Sequence, residues 1–251
     1  MESTASDTRP CKTDTVRTNS VLLFLVAAII GLSGCSGEEK DSPADTSKLE
    51  ARLATAKATL DDAETITISL ATEKIPSGVS GLLSAKGQGN HSPAFKGKVT
   101  VVTGGTSLGA DVIAVDGEVL AKTSFAPVYL SIDPATLKAP DPAALFDKTS
   151  GITQILVKTT KLSDGGKSRD GEDVLTTIKG SLPGSVVKTI IPSADTSAAF
   201  KVIYRLDDDD VLRDATLSGP FYGNAGDVTY TVKLTTSDTP VTIEAPSRPR
   251  A

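Results

Sequence analysis

The sequence predicts an α+β fold, in which about nine or ten antiparallel strands form one curved sheet and helices cover one of its faces. Short segments throughout the chain alternate apolar and polar residues, as strands with one buried face do. Turn-forming pairs such as Asp116-Gly117 separate these segments. Helical periodicity is confined to a few pieces, most of them short.

The first predicted helix begins at Ser47, which has capping-box spacing to Glu50. Its apolar residues recur at helical period and form one stripe: Leu49, Leu53, Ala56 and Leu60. The opposite face carries charged residues. We therefore expect one buried face and one solvated face.

Period-two alternation then predicts strands in the first half of the chain. Ile66, Ile68 and Leu70 alternate with small polar residues. Strands are also predicted at 95–103, 109–115 and 118–123, the last two joined by the hairpin pair Asp116-Gly117. Residues 76–93 are rich in Gly and Ser and are predicted to be a mobile loop.

The middle of the chain predicts short helices. Asp133-Pro134 and Asp141-Pro142 each place an N-cap residue before a first-turn proline. Further helices are expected at 150–158 and 183–191. Strands return at 173–180, 200–206, 211–218 and 228–234, and Val241 and Ile243 are expected to finish the sheet.

Leu32-Ser33-Gly34-Cys35 follows the apolar run Val21–Leu32 and matches a bacterial lipobox. The run is shorter than the ~20 residues that span a bilayer, so a signal peptide is favoured over a chance cysteine after a membrane helix. We expect residues 1–34 to be the signal peptide, Cys35 to be lipidated, and 35–46 to form a flexible tether. The folded domain is expected over 47–245, with a disordered tail at 246–251.

Composition excludes several classes of function. The net charge is −5 and basic residues do not cluster, so nucleic acid is not an expected partner. Cys11 belongs to the predicted leader and Cys35 is expected to carry lipid, which leaves no disulfide in the mature chain. No cofactor is expected.

Two motifs resemble a catalytic or a metal-binding sequence, and neither has the surrounding residues that such a site requires. Gly105–Gly109 matches the G-x-S-x-G nucleophile elbow around Ser107, but the residues that follow alternate as a strand where the elbow needs a helix. The mature chain has one histidine, His91, in the predicted loop. Asp207–Asp210 lacks the spacing and glycine of a calcium loop and is predicted to be an acidic hairpin turn. We expect no catalytic residue and no metal.

The strand faces are rich in Val, Ile and Ala, and the predicted helices are too short to cover a wide sheet. One interpretation is an ordinary packed core. The other is a cavity between sheet and helices that takes lipid chains, since each buried methylene contributes ~0.8 kcal/mol. Periodicity alone leaves both open.

The order of elements resembles a known family. The resemblance rests on the lipobox, Lys74-Ile75-Pro76, Lys98-Val99-Thr100-Val101 before Gly104-Gly105, Ala110-Asp111, Val115-Asp116-Gly117, Ile132-Asp133-Pro134, Arg169-Asp170 and the segment near Val241. The chain is similar, over nearly its whole mature length, to the actinobacterial LppX/LprA/LprF/LprG lipoproteins, most closely to the LprG branch.

The resemblance implies a strongly curved antiparallel half-barrel with helices on its concave face, similar to LolA/LolB carriers, and an apolar cavity between them. It implies a non-enzymatic lipoprotein on the extracytoplasmic face of the cell membrane that carries acylated lipids or glycolipids across the envelope. Partners implied by the LprG branch are a triacylated glycolipid or triacylglyceride and a major-facilitator transporter. The alternative is a structural or adhesion lipoprotein without a ligand.

By the same resemblance, some strand residues are expected to line the cavity. Val99 and Val101 are the first candidates, and neighbouring strands supply Ile66, Ile68, Ile113 and Val115. A register slip of one residue would turn each of these to the opposite face of the sheet.

Overall fold

One antiparallel sheet organises the residues that the structure, a computed structural model, describes: 43–137 and 139–246. The predicted leader, Cys35 and the first part of the tether lie outside these residues, as do 247–251. Within the described chain, no helix combines the length and apolarity needed to cross a bilayer.

Most of the secondary-structure elements are strands, which follow one another directly along most of the chain. The helices are α1 (Pro43–Asp62), α2 (Gln154–Lys158) and α3 (Gly184–Ile190), with 3-10 turns at Pro134–Leu137, Ala144–Phe146 and Gly223–Ala225. The strands are β1 (Thr65–Thr72), β2 (Gly81–Asn90), β3 (Ala94–Thr103), β4 (Thr106–Val115), β5 (Glu118–Thr123), β6 (Leu130–Ser131), β7 (Thr160–Asp170), β8 (Asp173–Pro183), β9 (Ala199–Leu206), β10 (Leu212–Gly219) and β11 (Val228–Ser237).

The sheet is open and has the strand order β6-β5-β4-β3-β2-β1-β11-β10-β9-β8-β7. Sequential strands pair as a meander on each side, and the first and last strands meet in the centre, where Thr65 lies opposite Ser237. Strands β6 and β7 are therefore the two edges.

Alternation along the strands places one set of apolar side chains in a single large core, on the face that we call the inner face. It includes Ile66 and Ile68 of β1, Ile178 of β8 and Tyr204 of β9. Helix α1 adds its predicted stripe of Leu49, Leu53, Ala56 and Leu60 to this core, and it contacts α2 and β7.

The outer face has a second, smaller cluster. Ile113 of β4, Ala94 of β3 and Ile243 are buried together, with Val115 and Val241 packed against them. Residues 239–246 form no strand, so the expectation that Val241 and Ile243 finish the sheet was wrong. This segment instead lies against the outer face, where the Asn90 side-chain amide donates to the Val241 carbonyl at 3.0 Å.

The sequence patterns do not predict three of the strands. The predicted mobile loop at 76–93 contains β2, whose glycines remove the alternation by which a strand is recognised. Strand β7 is almost wholly polar because it is an edge strand with Leu162 as its buried apolar residue. Strand β6 has two residues, both exposed, and leaves no pattern.

Other expectations agree with the structure. The Asp116-Gly117 hairpin joins β4 to β5, and both residues adopt positive φ, at 55° and 73°. Helix α1 begins before the predicted Ser47, at Pro43, because a proline fits the first helical turn and Asp45 follows it there. The predicted tether is correspondingly shorter.

Candidate functional site: an apolar cavity

A cavity lies between the inner face and the segments that cover it. The volume of the cavity is about 100 Å³. Strands contribute Ile68, Leu70, Leu82, Ala85, Phe95, Val99, Val101, Val112, Val119, Leu217, Tyr230 and Val232. The cover contributes Ile132, Pro134, Leu137, Ala139, Pro140, Pro142, Leu145, Phe146, Ile152, Ile155, Val187, Ile190, Ile191, Phe221 and Tyr222.

The local sequence explains why the cover is irregular. Three prolines, Pro134, Pro140 and Pro142, stop regular helix formation between β6 and α2. The Asp133 and Asp141 carboxylates each accept a backbone N–H two residues later, at 2.9 Å, and start short turns. The result is a chain of short turns over the sheet, with room beneath it.

Small residues in β2 bring the cover close to the sheet at one end of the cavity. A Cβ atom on Gly89 would lie 2.5 Å from the ring of Phe146, so only glycine fits there. The Phe146 ring stacks on that of Phe95, with centroids 6.1 Å apart. Both rings line the cavity.

The polar side chains that line the cavity are two tyrosines. The Tyr222 and Tyr230 hydroxyls are 2.6 Å apart, and the Leu82 backbone N–H donates to Tyr222 at 3.1 Å. Tyr230 donates to the Leu82 carbonyl at 2.5 Å. Burial raises the pKa of both tyrosines, so both remain neutral phenols. Their hydrogen-bonding capacity is directed at each other and at β2.

His91 ties the cover to the rest of the domain. Its Nδ1 lies 2.7 Å from the Phe146 carbonyl oxygen, and its Nε2 lies 3.0 Å from the Leu60 carbonyl oxygen near the end of α1. The ring therefore holds the β2–β3 turn against both segments, and its nitrogens are engaged in structural contacts.

The residues expected at the cavity divide into three groups. Val99, Val101 and Ile68 line it, whereas Ile66 is buried in the same core without reaching it. Ile113 and Val115 lie in the outer cluster, so their expected position at the cavity is corrected. Their neighbour Val112 occupies the inner face of β4. Both faces of β4 are covered, and alternation cannot identify the inner one.

Sequence reasoning missed the aromatic part of the lining. Phe95, Phe146, Phe221, Tyr222 and Tyr230 all reach the cavity. Tyr230 stands in the clear alternation of β11 and could have been assigned to the inner face. Phe146, Phe221 and Tyr222 lie in irregular segments, which carry no periodic signal.

The motifs weighed for catalysis and metal binding occupy ordinary structural positions. Ser107 lies within β4, paired with Val102, where a nucleophile elbow would need a turn into a helix. The Asp207 carboxylate accepts the Val211 backbone N–H at 2.9 Å and contacts Arg213, while Asp210 contacts Arg52. In the described residues no three His, Cys, Asp or Glu side chains are grouped to hold a metal.

Comparisons with known proteins bear on this fold. Residues 47–244 match the family described as LppX_LprAFG lipoprotein. The structure of LprF from Mycobacterium bovis is similar with a TM-score of 0.64 and 14% identity, over 80% of this chain and 98% of that one. LppX from Mycobacterium tuberculosis gives 0.55 and 18%, over 79% and 99%. A search of curated proteins found no match. At these identities the two structures support the fold: a large, curved, unclosed antiparallel sheet with few helices.

Proposed function

Because this chain belongs to the LppX_LprAFG lipoprotein family, we propose that it is a non-enzymatic carrier that binds the acyl chains of lipids or glycolipids in the cavity. The observation that carries the proposal is the lining: apolar residues of the described chain surround the cavity, and its two tyrosine hydroxyls are already paired. Such a surface favours hydrocarbon, and it offers a polar ligand group no ready partner.

The energetics favour acyl chains. Burial of ~12 methylene groups at ~0.8 kcal/mol each would contribute about 10 kcal/mol before ordering costs. Ester and head groups would lose hydrogen bonds to water without replacement inside, and therefore would remain at the cavity mouth. The ligand class is thus a lipid with long chains and a solvated polar end.

The cavity is small for such a ligand. An apolar cavity of ~150 Å³ accommodates benzene, and the space here is about 100 Å³. We infer that one part of the cover, residues 132–137 and 139–146, moves outward when a chain enters, while the sheet stays in place. The short turns and prolines of this cover supply fewer backbone hydrogen bonds to break than a regular helix would.

The proposed membrane anchor, ligand and partner are inferred from the sequence. Cys35 would carry the acyl groups that hold the domain at the extracytoplasmic face of the cell membrane, since two chains are needed for stable anchoring. Assignment to the LprG branch would make a triacylated glycolipid or triacylglyceride the ligand and a major-facilitator transporter the partner. Helical segments on the concave face of a half-barrel would then form the carrier's lid.

The test is the lipid content of the full chain purified from an actinobacterial host. Val99→Trp should fill the cavity and lower co-purified lipid at least about ten-fold, because the indole would occupy the space of the acyl chain. Ile203→Trp is the matched control, since Ile203 is an exposed residue of β9. Native mass spectrometry gives the bound lipid, and circular dichroism verifies that each variant folds.

Equal lipid in Val99→Trp and in the parent would overturn the cavity assignment. Absence of lipid from the parent itself would favour the alternative, a structural or adhesion lipoprotein without a ligand.

A further inference from the structure

The short loop between β5 and β6, together with the first residue of β6, exposes an unusual amount of apolar surface, and we call residues 124–130 the 124–130 loop. Phe125 is 86% exposed, Val128 49% and Leu130 52%, and these are three of the five large apolar side chains exposed in the described residues. An exposed aromatic ring with two aliphatic neighbours within six residues is typical of an interaction site. None of the three lines the cavity.

The loop is held in one conformation by its own hydrogen bonds. The Thr123 backbone N–H donates to the Ala126 carbonyl at 3.1 Å. The Ala126 backbone N–H in turn donates to the Thr123 hydroxyl, also at 3.1 Å. This reciprocal pair presents Phe125 at the tip of a tight turn, so little ordering entropy is lost when the ring becomes buried.

Basic residues lie beside the loop on the outer face. Lys98 and Lys122 line the same surface notch as Ser124 and Pro127. The Lys122 ammonium lies 5.1 Å from the centroid of the Tyr129 ring, within the loop. Both lysines contact Asp111, at 2.5 and 3.6 Å, which offsets one of the two charges.

The surplus of positive charge extends along β2 and β3. Lys86 lies opposite Lys98 across these strands, and Lys96 is two residues before Lys98, on the same face. Lys86 and Lys96 are both exposed. The outer face next to the loop is therefore basic on a chain whose net charge is −5.

The opposite end of the sheet is acidic. The antiparallel pairing places the β4–β5, β7–β8 and β9–β10 turns at one end, and the 124–130 loop at the other. These turns carry Asp116, Glu172 and Asp207–Asp210, besides Asp170 and Asp173 at the strand ends. Four basic residues, Arg52, Lys167, Arg205 and Arg213, form ion pairs with five of these eight carboxylates, so this end keeps an excess of negative charge. An anionic surface would repel this end and attract the basic outer face beside the loop, so the charge distribution orients the domain.

We propose that the 124–130 loop inserts into an anionic lipid bilayer, with Phe125 and Val128 among the acyl chains and Lys86, Lys98 and Lys122 at the lipid phosphates. A bilayer supplies both an apolar layer and an adjacent negative one, which matches the arrangement of the two groups of residues. The contact is separate from the predicted anchor at Cys35 and independent of whether the cavity binds lipid.

Site-specific fluorescence on the full chain tests this proposal. Phe125→Cys and Asp209→Cys each receive an environment-sensitive probe, the second at the acidic end as the matched control. The unsubstituted chain, labelled in the same way, gives the background from Cys11 and Cys35. Vesicles of phosphatidylcholine, with or without phosphatidylglycerol, carry nitroxide-labelled acyl chains as quenchers.

The probe at position 125 should shift to shorter wavelength and be quenched on vesicles that contain phosphatidylglycerol, whereas the probe at 209 should not respond. Each lysine near an anionic surface strengthens binding about five-fold. Lys98→Gln with Lys122→Gln should therefore weaken the response at 125 markedly, and Lys179→Gln with Lys201→Gln, on strands β8 and β9, should leave it unchanged.

Three results would overturn the proposal. The first is equal quenching at positions 125 and 209. The second is a response at 125 that does not depend on phosphatidylglycerol or on Lys98 and Lys122. The third is protection of the 125 probe without vesicles as the protein concentration rises, which would assign the loop to a second copy of this chain.

Discussion

The inner face of the sheet is filled in one half and hollow in the other. Strands β7, β8 and β9 contribute no residue to the cavity lining, and neither does α1. In this filled half the Tyr204 hydroxyl is buried 2.7 Å from that of Thr159. The hollow half comprises β1–β5 with β10 and β11, which supply all the strand residues of the lining.

The difference follows from what covers each half. Helix α1 is regular over 20 residues and places Leu49, Leu53 and Leu60 in the core. Residues 132–137 and 139–146 contain two 3-10 turns with prolines between them, and such a chain cannot present a continuous apolar stripe. The short helices α2 and α3 line the rest of the cavity through Ile155, Val187 and Ile190. A long regular helix therefore accompanies the packed core, and short helices with irregular segments leave the cavity.

The largest effect expected from this comparison is on stability. Ile178→Ala in the filled half should cost about 4 kcal/mol of unfolding free energy, because Ile178 is fully enclosed by side chains. Ile68→Ala in the hollow half should cost about 2 kcal/mol, since Ile68 already faces the cavity and loses fewer contacts. Urea unfolding measures both. Equal costs, or a larger cost for Ile68→Ala, would contradict the division into halves.

A smaller effect is expected at the contact between β2 and the cover. Gly89→Ala should destabilise the domain by about 1–3 kcal/mol, because its Cβ would displace the Phe146 ring. The change should also alter lipid uptake. Gly109→Ala is the matched control, since a Cβ on Gly109 of β4 meets no atom within 4 Å. It should change stability by less than about 0.5 kcal/mol. A similar loss in both variants would show that the cost lies in the strand backbone.

The smallest effect is a pH dependence at Asp147, which lies between the 3-10 turn Ala144–Phe146 and α2. Hydrogen bonds from Thr149 and Ser150 lower the pKa of Asp147 from 3.8 to about 2. The ionised carboxylate therefore stabilises the fold above pH 3.8, and this contribution is lost as the pH falls towards 2. Asp147→Asn should cost less than about 1 kcal/mol at pH 7, because the side chain is only half-buried. The difference between parent and variant, from urea unfolding across pH, should begin to narrow near pH 4 and close as the pH approaches 2. A constant difference would contradict the assignment.

Helix α1, the strands with clear alternation and the β4–β5 hairpin were the parts that could be predicted from sequence. Helical periodicity located α1, and Asp116-Gly117 located the β4–β5 turn because both residues accept positive φ. Strand β2 was not predicted because it contains Gly87 and Gly89. Aromatic rings packed against these positions leave no room for a side chain, and no local sequence pattern reveals such tertiary contacts. The polar edge strand β7 escaped because it buries little apolar surface.

The candidate site was predictable only on strands whose two faces differ in polarity. Val99 and Val101 lie on a strand whose other face is basic, so their orientation was clear. Ile113 and Val115 lie on a strand with apolar residues on both faces, and residues 241–243 cover the outer one. The cover itself is defined by tertiary contacts such as that of His91 with Phe146.

We propose that acyl chains occupy the hollow half of the inner face and not the filled half. A fatty acid with a photoactivatable group near its chain end, incubated with the full chain and irradiated, should label peptides from β3, β11 and residues 132–146. Peptide mass spectrometry would locate the adducts. Labelling confined to those peptides is the predicted result, and adducts on β8 and β9, or equal labelling of Val99→Trp and the parent, would contradict it.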